Sequence, residues 1–133
     1  MPPRPTSSEL EILEILWHTG SATVRQVNEQ LEKKGRNVGY TTTLKMMQIM
    51  TGKGLLSRKM EGRLHIYMPL LQADATKDAL INRMAEAVFG GSAMKLVLQA
   101  LGNHKATPEE LREIRELIDQ LEKEQNVNNH DNR

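Results

Sequence analysis

Three short segments, each opened by threonine and closed by glycine, precede two alternating segments joined through Glu61-Gly62-Arg63, and that order admits few folds. Thr6-Ser7-Ser8-Glu9 and Thr23-Val24-Arg25-Gln26 both have capping-box spacing, in which a hydroxyl and a Glu or Gln side chain satisfy the first free N–H groups of a helix. Leu10, Leu13, Ile15, Leu16 and Trp17 follow the first start at roughly helical spacing, and Val24, Val27 and Leu31 the second. Gly20 and Gly35 end these helices. A third helix is predicted from about Tyr40-Thr41-Thr42, because Thr is poor inside a helix but good at its start. Along it Thr43, Met46, Met47 and Met50 share one face. Thr42, Lys45 and Gln48 share another, flanked by Thr41 and Ile49, and Gly52 and Gly54 break the helix. Leu55 to Met60 and Leu64 to Met68 then read as strands of a hairpin, with Gly62 supplying positive φ. Leu64, Ile66 and Met68 alternate with His65 and Tyr67, as in a strand with one buried face, and Pro69 ends it. The link at Ser21-Ala22 offers a further short piece of strand.

The remainder reads as helical. A fourth helix is expected from Asp74 or Ala75 to about Phe89, stopped by Gly90-Gly91, and a fifth from a cap at Ser92 to Gly102. Thr107-Pro108-Glu109-Glu110 places an N-cap, a first-position Pro and a Glu three residues on from the cap, a strong start for a sixth. There Leu111, Ile114, Ile118 and Leu121 form a narrow apolar seam suited to packing against another helix. From Asn126 the tail is polar and Asn-rich, and disorder is expected. The expected fold is mainly α with a small β-hairpin wing. A winged helix-turn-helix domain spans 1–73, a helical dimerisation domain 74–125, and a disordered tail 126–133.

Composition narrows the functional classes. The chain has no Cys, which excludes disulfides, thiolate metal sites and a Cys nucleophile. His18, His65, His104 and His130 are scattered without ligand spacing, and the Met46, Met47 and Met50 group reads as core rather than a soft-metal site. No nucleophile–base constellation or Gly-rich phosphate loop is present, so neither an enzyme nor a cofactor is expected. Met1-Pro2-Pro3-Arg4-Pro5 lacks the apolar stretch of a secretory signal, and no run approaches the roughly 20 apolar residues of a membrane span. A cytoplasmic protein with no membrane insertion fits these observations. Residues 1–73 carry ten Lys/Arg against six Asp/Glu, and residues 74–133 eight against eleven. A basic front half suits a polyanionic partner.

The winged arrangement gives that partner a place. The third helix can project its outer face into the major groove of DNA while the hairpin reaches along the phosphates. Thr41 and Thr42 can bond phosphates or bases, Lys45 a guanine edge or a phosphate, and Gln48 an adenine edge. Arg58, Lys59 and Arg63 make a basic hairpin tip suited to phosphate contact. A plainer reading, a solvated helix face and a solvated turn, competes at each residue taken singly.

Several stretches together carry a resemblance. Ser8-Glu9-Leu10-Glu11-Ile12-Leu13 with Leu16-Trp17 comes first, then Tyr40-Thr41-Thr42-Thr43-Leu44, Lys53-Gly54-Leu55-Leu56, and Glu61-Gly62-Arg63 with Ile66-Tyr67. The segment from Ser92-Ala93-Met94 to Leu101 and the Thr107–Glu110 helix start complete it. From about Thr6 to Leu121 the chain resembles the penicillinase-repressor family, also called BlaI/MecI/CopY. The resemblance implies a repressor that binds dyad operators as a homodimer joined through its C-terminal helices. It further implies inactivation, in many members, when a membrane sensor-protease triggers cleavage in the fifth helix, where Gln99-Ala100 corresponds to the scissile pair. Three departures stand out. The family's usual pair there is Asn-Phe. Its copper-responsive branch uses C-terminal Cys pairs, absent here. Many relatives carry Arg where Ile49 stands, and Gly52 replaces a residue that is usually charged. Two other functions fit a winged helix: a protein-interaction module, since fold does not fix function, and a repressor gated by a small effector.

Overall fold

The computed structural model describes residues 4–103 and 105–131, with the backbone alone for 130 and 131. Met1-Pro2-Pro3, His104, the His130 side chain and the last two residues of the expected tail lie outside the described residues. The chain divides into two compact units, Met1–Leu80 and Ile81–Arg133.

In the first unit α1 spans Ser7–Thr19, α2 Val24–Lys33 and α3 Tyr40–Gly52, followed by β1 at Leu56–Glu61 and β2 at Leu64–Pro69. Helix α4, Ala73–Val88, begins here and continues into the second unit. Both early capping boxes form. The Thr6 N–H donates to Glu9 Oε1 at 2.8 Å and the Glu9 N–H to Thr6 Oγ1 at 3.2 Å. Thr23 and Gln26 repeat the exchange at 2.9 and 3.2 Å. Each cap of this kind stabilises by ~1 kcal/mol.

Where the helices meet, the core is almost wholly aliphatic: Ile12, Leu13 and Leu16 from α1, Val27 and Leu31 from α2, Met47 and Met50 from α3, then Leu55 and Leu56. Met46 is only half-buried at its edge. A buried side chain of this size contributes roughly 1.5–3 kcal/mol, so these positions hold the helix trio together. Trp17 lies against the cluster and donates its indole N–H to the Leu71 carbonyl at 2.8 Å, tying α1 to the chain after the hairpin.

The hairpin is antiparallel, with Leu56 opposite Pro69 and Glu61 opposite Leu64. Two residues, Gly62 and Arg63, therefore make the turn, and Gly62 has φ 63°. Positive φ at the first turn residue is what a type II′ turn requires, and it matches the twist of the strands. Ala22 joins as a third, one-residue edge: its N–H donates to the Tyr67 carbonyl at 3.0 Å, and its carbonyl accepts from the Tyr67 N–H at 2.9 Å.

That anchorage corrects the facing expected of β2. Tyr67 is the buried residue, 1% exposed, while Leu64 is 58% exposed and Ile66 and Met68 are half-buried. Only Tyr67 is buried; His65 on the same side is exposed, so the strand shows no clean alternation. A period of two does not say which face is inward when both faces carry apolar groups, and one residue of register reverses every side chain. Tyr67 pairs with Ala22, and both join the buried core.

The second unit holds the rest of α4, α5 at Ala93–Asn103 and α6 at Pro108–Asp131. Gly90 and Gly91 both take positive φ, and the Gly91 N–H closes α4 onto the Ala85 carbonyl at 2.9 Å. Thr107 and Glu110 form the third capping box, both bonds at 3.1 Å. Helix α6 does not stop at Asn126 but continues to Asp131. Extending a nucleated helix adds one hydrogen bond per residue, and Asn costs at most ~0.7 kcal/mol relative to Ala, so a polar composition alone does not end it. Little of this unit is buried: Ala85 alone among its described residues, and none in α5.

Candidate nucleic-acid interface

Helix α3 is held by its buried side and bare on the other. Thr43, Met47 and Met50 are inside. Thr41, Thr42, Lys45, Gln48, Ile49 and Gly52 are exposed. Positions three, four and seven apart fall on one side of a helix, so these residues form one outward strip.

A buried amide fixes the strip's orientation. Asn28 of α2 is 8% exposed, and its Nδ2 donates to the Val38 carbonyl at 2.8 Å and to Thr43 Oγ1 at 2.9 Å. The Thr43 hydroxyl in turn donates to the Gly39 carbonyl at 3.3 Å. One side chain thus ties α2, the connecting turn and the first turn of α3 together.

The start of α3 differs from the starts of α1, α2 and α6. Gly39 is its N-cap and makes no side-chain cap bond. Thr41 and Thr42 therefore sit, exposed, where backbone N–H groups and the positive end of the helix dipole face outward, a geometry that favours an anion. Beside them the Arg25 guanidinium lies 5.9 Å from the centre of the Tyr40 ring. Sequence reading missed this pair, because Arg25 belongs to the first turn of α2 and meets Tyr40 only through the fold. The available signal was a cation inside the second capping box, at the end of α2 that a helix-turn-helix presents to DNA.

The cations segregate. Lys34 pairs with Glu14, Arg36 with Glu11, and Lys53 Nζ with Glu9 Oε1 at 2.8 Å, so every carboxylate of α1 is engaged. Arg25, Lys45, Arg58, Lys59 and Arg63 have no ion pair among the described residues, and all are exposed. Burial pushes the Glu9 carboxyl up, but hydrogen bonds from Lys53 and the Thr6 backbone, with the Lys53 charge, outweigh it and hold its pKa below the ordinary value. Glu14 is lowered chiefly by its hydrogen bond from Lys34.

On the hairpin Arg58, Lys59 and Arg63 are exposed but are not all on one face. Arg58 is opposite Tyr67 and Lys59 opposite Ile66, so the two point to opposite sides of the ribbon, with Arg63 in the turn. In the second unit Leu111, Ile118 and Leu121 are exposed and Ile114 half-buried on α6. Gln99 and Ala100 are exposed within α5. No helix of the described residues is long and apolar enough to cross a membrane.

A helix trio with one outward, mainly polar strip, followed by an anchored two-stranded hairpin, defines the winged helix-turn-helix class. The penicillinase-repressor family profile matches residues 5–120, and the chain belongs to that family. It is 22% identical over 118 residues to the penicillinase repressor of Bacillus licheniformis, covering 89% of this chain and 91% of that one. It is 33% identical over 86 residues to the transcriptional regulator BlaI of Mycobacterium tuberculosis, covering 63% of this chain and 62% of that relative's length. Among solved structures it is similar to the DNA-binding domain of the repressor BlaI in solution (26% identity, TM-score 0.49, 54% of this chain and 87% of that one). It is also similar to Bacillus licheniformis BlaI, as a monomer in complex with the blaP half-operator (26% identity, TM-score 0.49, 56% and 89%).

Proposed function

We propose that this chain is a transcriptional repressor that binds a dyad DNA operator as a homodimer. The observation that carries the reading is the exposed strip of α3, where Thr41, Thr42, Lys45 and Gln48 stand on one face of a helix whose other face is locked into the core. In the major groove Lys45 and Gln48 reach base edges. Thr41, Thr42, the uncapped start of α3 and Arg25 take phosphates, as do Arg58, Lys59 and Arg63 of the hairpin. Family membership supports the assignment to repression.

Dimerisation rests on the second unit, with residues 74–125 as its proposed extent. Leu98 is 62% exposed, and Val97, Leu117, Ile118 and Leu121 are exposed with it. Aliphatic side chains left exposed on successive helices suit an interface, and a twofold pair of recognition helices suits a dyad site. Induction by proteolysis is the proposed control: a cut between Gln99 and Ala100 would separate α6 from the rest of the chain. Masses of the fragments formed beside a candidate membrane sensor-protease would locate the cut, and intact protein would remove this part of the proposal.

Selection of bound duplexes from a random DNA pool, followed by mobility shifts across a salt series, tests the main reading. The expected outcome is an inverted repeat bound with a steep salt dependence, each neutralised phosphate adding about 0.9 to the slope of log affinity against log salt. Recovery of no preferred sequence would overturn it.

A further inference from the structure

We infer that Ile49 is a specificity-determining residue that packs against the C5-methyl of a thymine in the major groove. The inference rests on the DNA-binding reading above and deepens it. Ile49 is 49% exposed, although Met47 and Met50 on either side of it are fully buried, so α3 fills its core without it. Single exposed aliphatic residues are common on proteins, and exposure alone would say little. Position is what distinguishes this one. Ile49 lies one turn beyond Lys45, two turns beyond Thr42 and adjacent to Gln48, toward the far end of the strip offered to DNA.

Beyond it the strip ends at Gly52, where an added Cβ would meet no atom of this chain within 4 Å. Nothing inside the protein requires the missing side chain. Its absence leaves room for the groove wall to approach the far end of the helix. Read along α3, the strip offers hydroxyls, an ammonium, an amide, a branched aliphatic side chain and then open space.

The major groove displays one apolar group, the thymine methyl; its other edge groups are hydrogen-bond donors and acceptors. An isoleucine pressed against those groups, or against a phosphate, would strip their water without replacing it, at a cost comparable to a lost hydrogen bond. Against a thymine methyl it buries apolar surface on both sides. Its β-branched side chain has one dominant rotamer in a helix, so presenting it this way loses little conformational freedom.

Deoxyuridine replaces thymine without its methyl and leaves the pairing intact. The test uses the full-length protein and the duplex recovered by selection from a random pool, with each thymine of a half-site replaced singly by deoxyuridine. One replacement in each half-site is expected to weaken binding about fourfold, the value of one buried methyl group. Ile49→Ala should bind the parent duplex correspondingly less well and no longer distinguish thymine from deoxyuridine there. Because Ile49 is outside the core, this variant should keep the helical circular dichroism of the wild type. If the selected duplex binds specifically but no deoxyuridine replacement matters, or if Ile49→Ala keeps the same discrimination, the assignment of Ile49 is overturned and the DNA-binding reading stands. If no duplex is selected, both fall.

Discussion

Lys45 and Arg63 are both exposed cations, and the proposed geometry gives them different work. Lys45 sits mid-strip on α3, where in the proposed complex its ammonium meets base edges. Arg63 sits in the hairpin turn, where in the proposed complex it meets the phosphate backbone. Lys45→Ala is therefore expected to lower affinity for the preferred sequence by about 1–3 kcal/mol and to relax its discrimination, measured by titration against preferred and scrambled duplexes. Arg63→Ala should weaken binding to both alike and reduce the salt slope by about 1 for each protomer that loses a phosphate contact. A selective loss in Arg63→Ala would place the hairpin in a groove rather than on the backbone. Arg25 is grouped with the proposed phosphate contacts, because its guanidinium lies over Tyr40, the first residue of the uncapped α3.

Elements transmit these roles only if α3 is held at a fixed angle. Asn28→Ala removes both of its donations and leaves the Val38 carbonyl without that partner, so it should cost about 1–3 kcal/mol in urea denaturation. Such a loss exceeds what an exposed polar residue contributes. At the other end of the helix, Lys53 binds both oxygens of the buried Glu9 carboxylate, at 2.8 and 3.0 Å, and pins the C-cap of α3 to the start of α1. Folding holds the Glu9 pKa below its unfolded value. The stabilisation is thus complete above the ordinary carboxylate range and is lost as pH falls through the folded value. Lys53→Met should lower stability by about 1–2 kcal/mol near neutral pH, discounted for the partly exposed ammonium, and should flatten the acid limb of the stability profile. An unchanged acid limb in Lys53→Met would mean that another carboxylate governs it.

Across the molecule the two units contrast in how much they bury. The first buries a continuous core from three helices and a hairpin, whereas the second leaves long aliphatic side chains on α4, α5 and α6 in water. The proposed homodimer would cover that surface. Leu117 and Ile118, 55% and 47% exposed, offer the direct test. Ile118→Glu should convert a dimer to a monomer in sedimentation at micromolar concentration, with unchanged Trp17 fluorescence because the first unit keeps its own core. Operator affinity should fall by orders of magnitude while binding to a single half-site persists weakly. A wild-type monomer at that concentration would remove the dimer from the proposal.

Much of this was legible in the chain itself. Capping boxes, glycine stops and the spacing of apolar residues are local, since each depends on groups a few residues apart. The amino-acid sequence accordingly determined the six helices, the hairpin and the outward residues of α3 before any packing was known. It did not determine that Tyr67, rather than its aliphatic neighbours, faces inward, because that depends on pairing with Ala22, 45 positions earlier in the chain. Nor did it reveal that Arg25 lies over Tyr40, or that Asn28 reaches across to Thr43. Those contacts join residues far apart in sequence, and only packing the helices against one another brings them within reach.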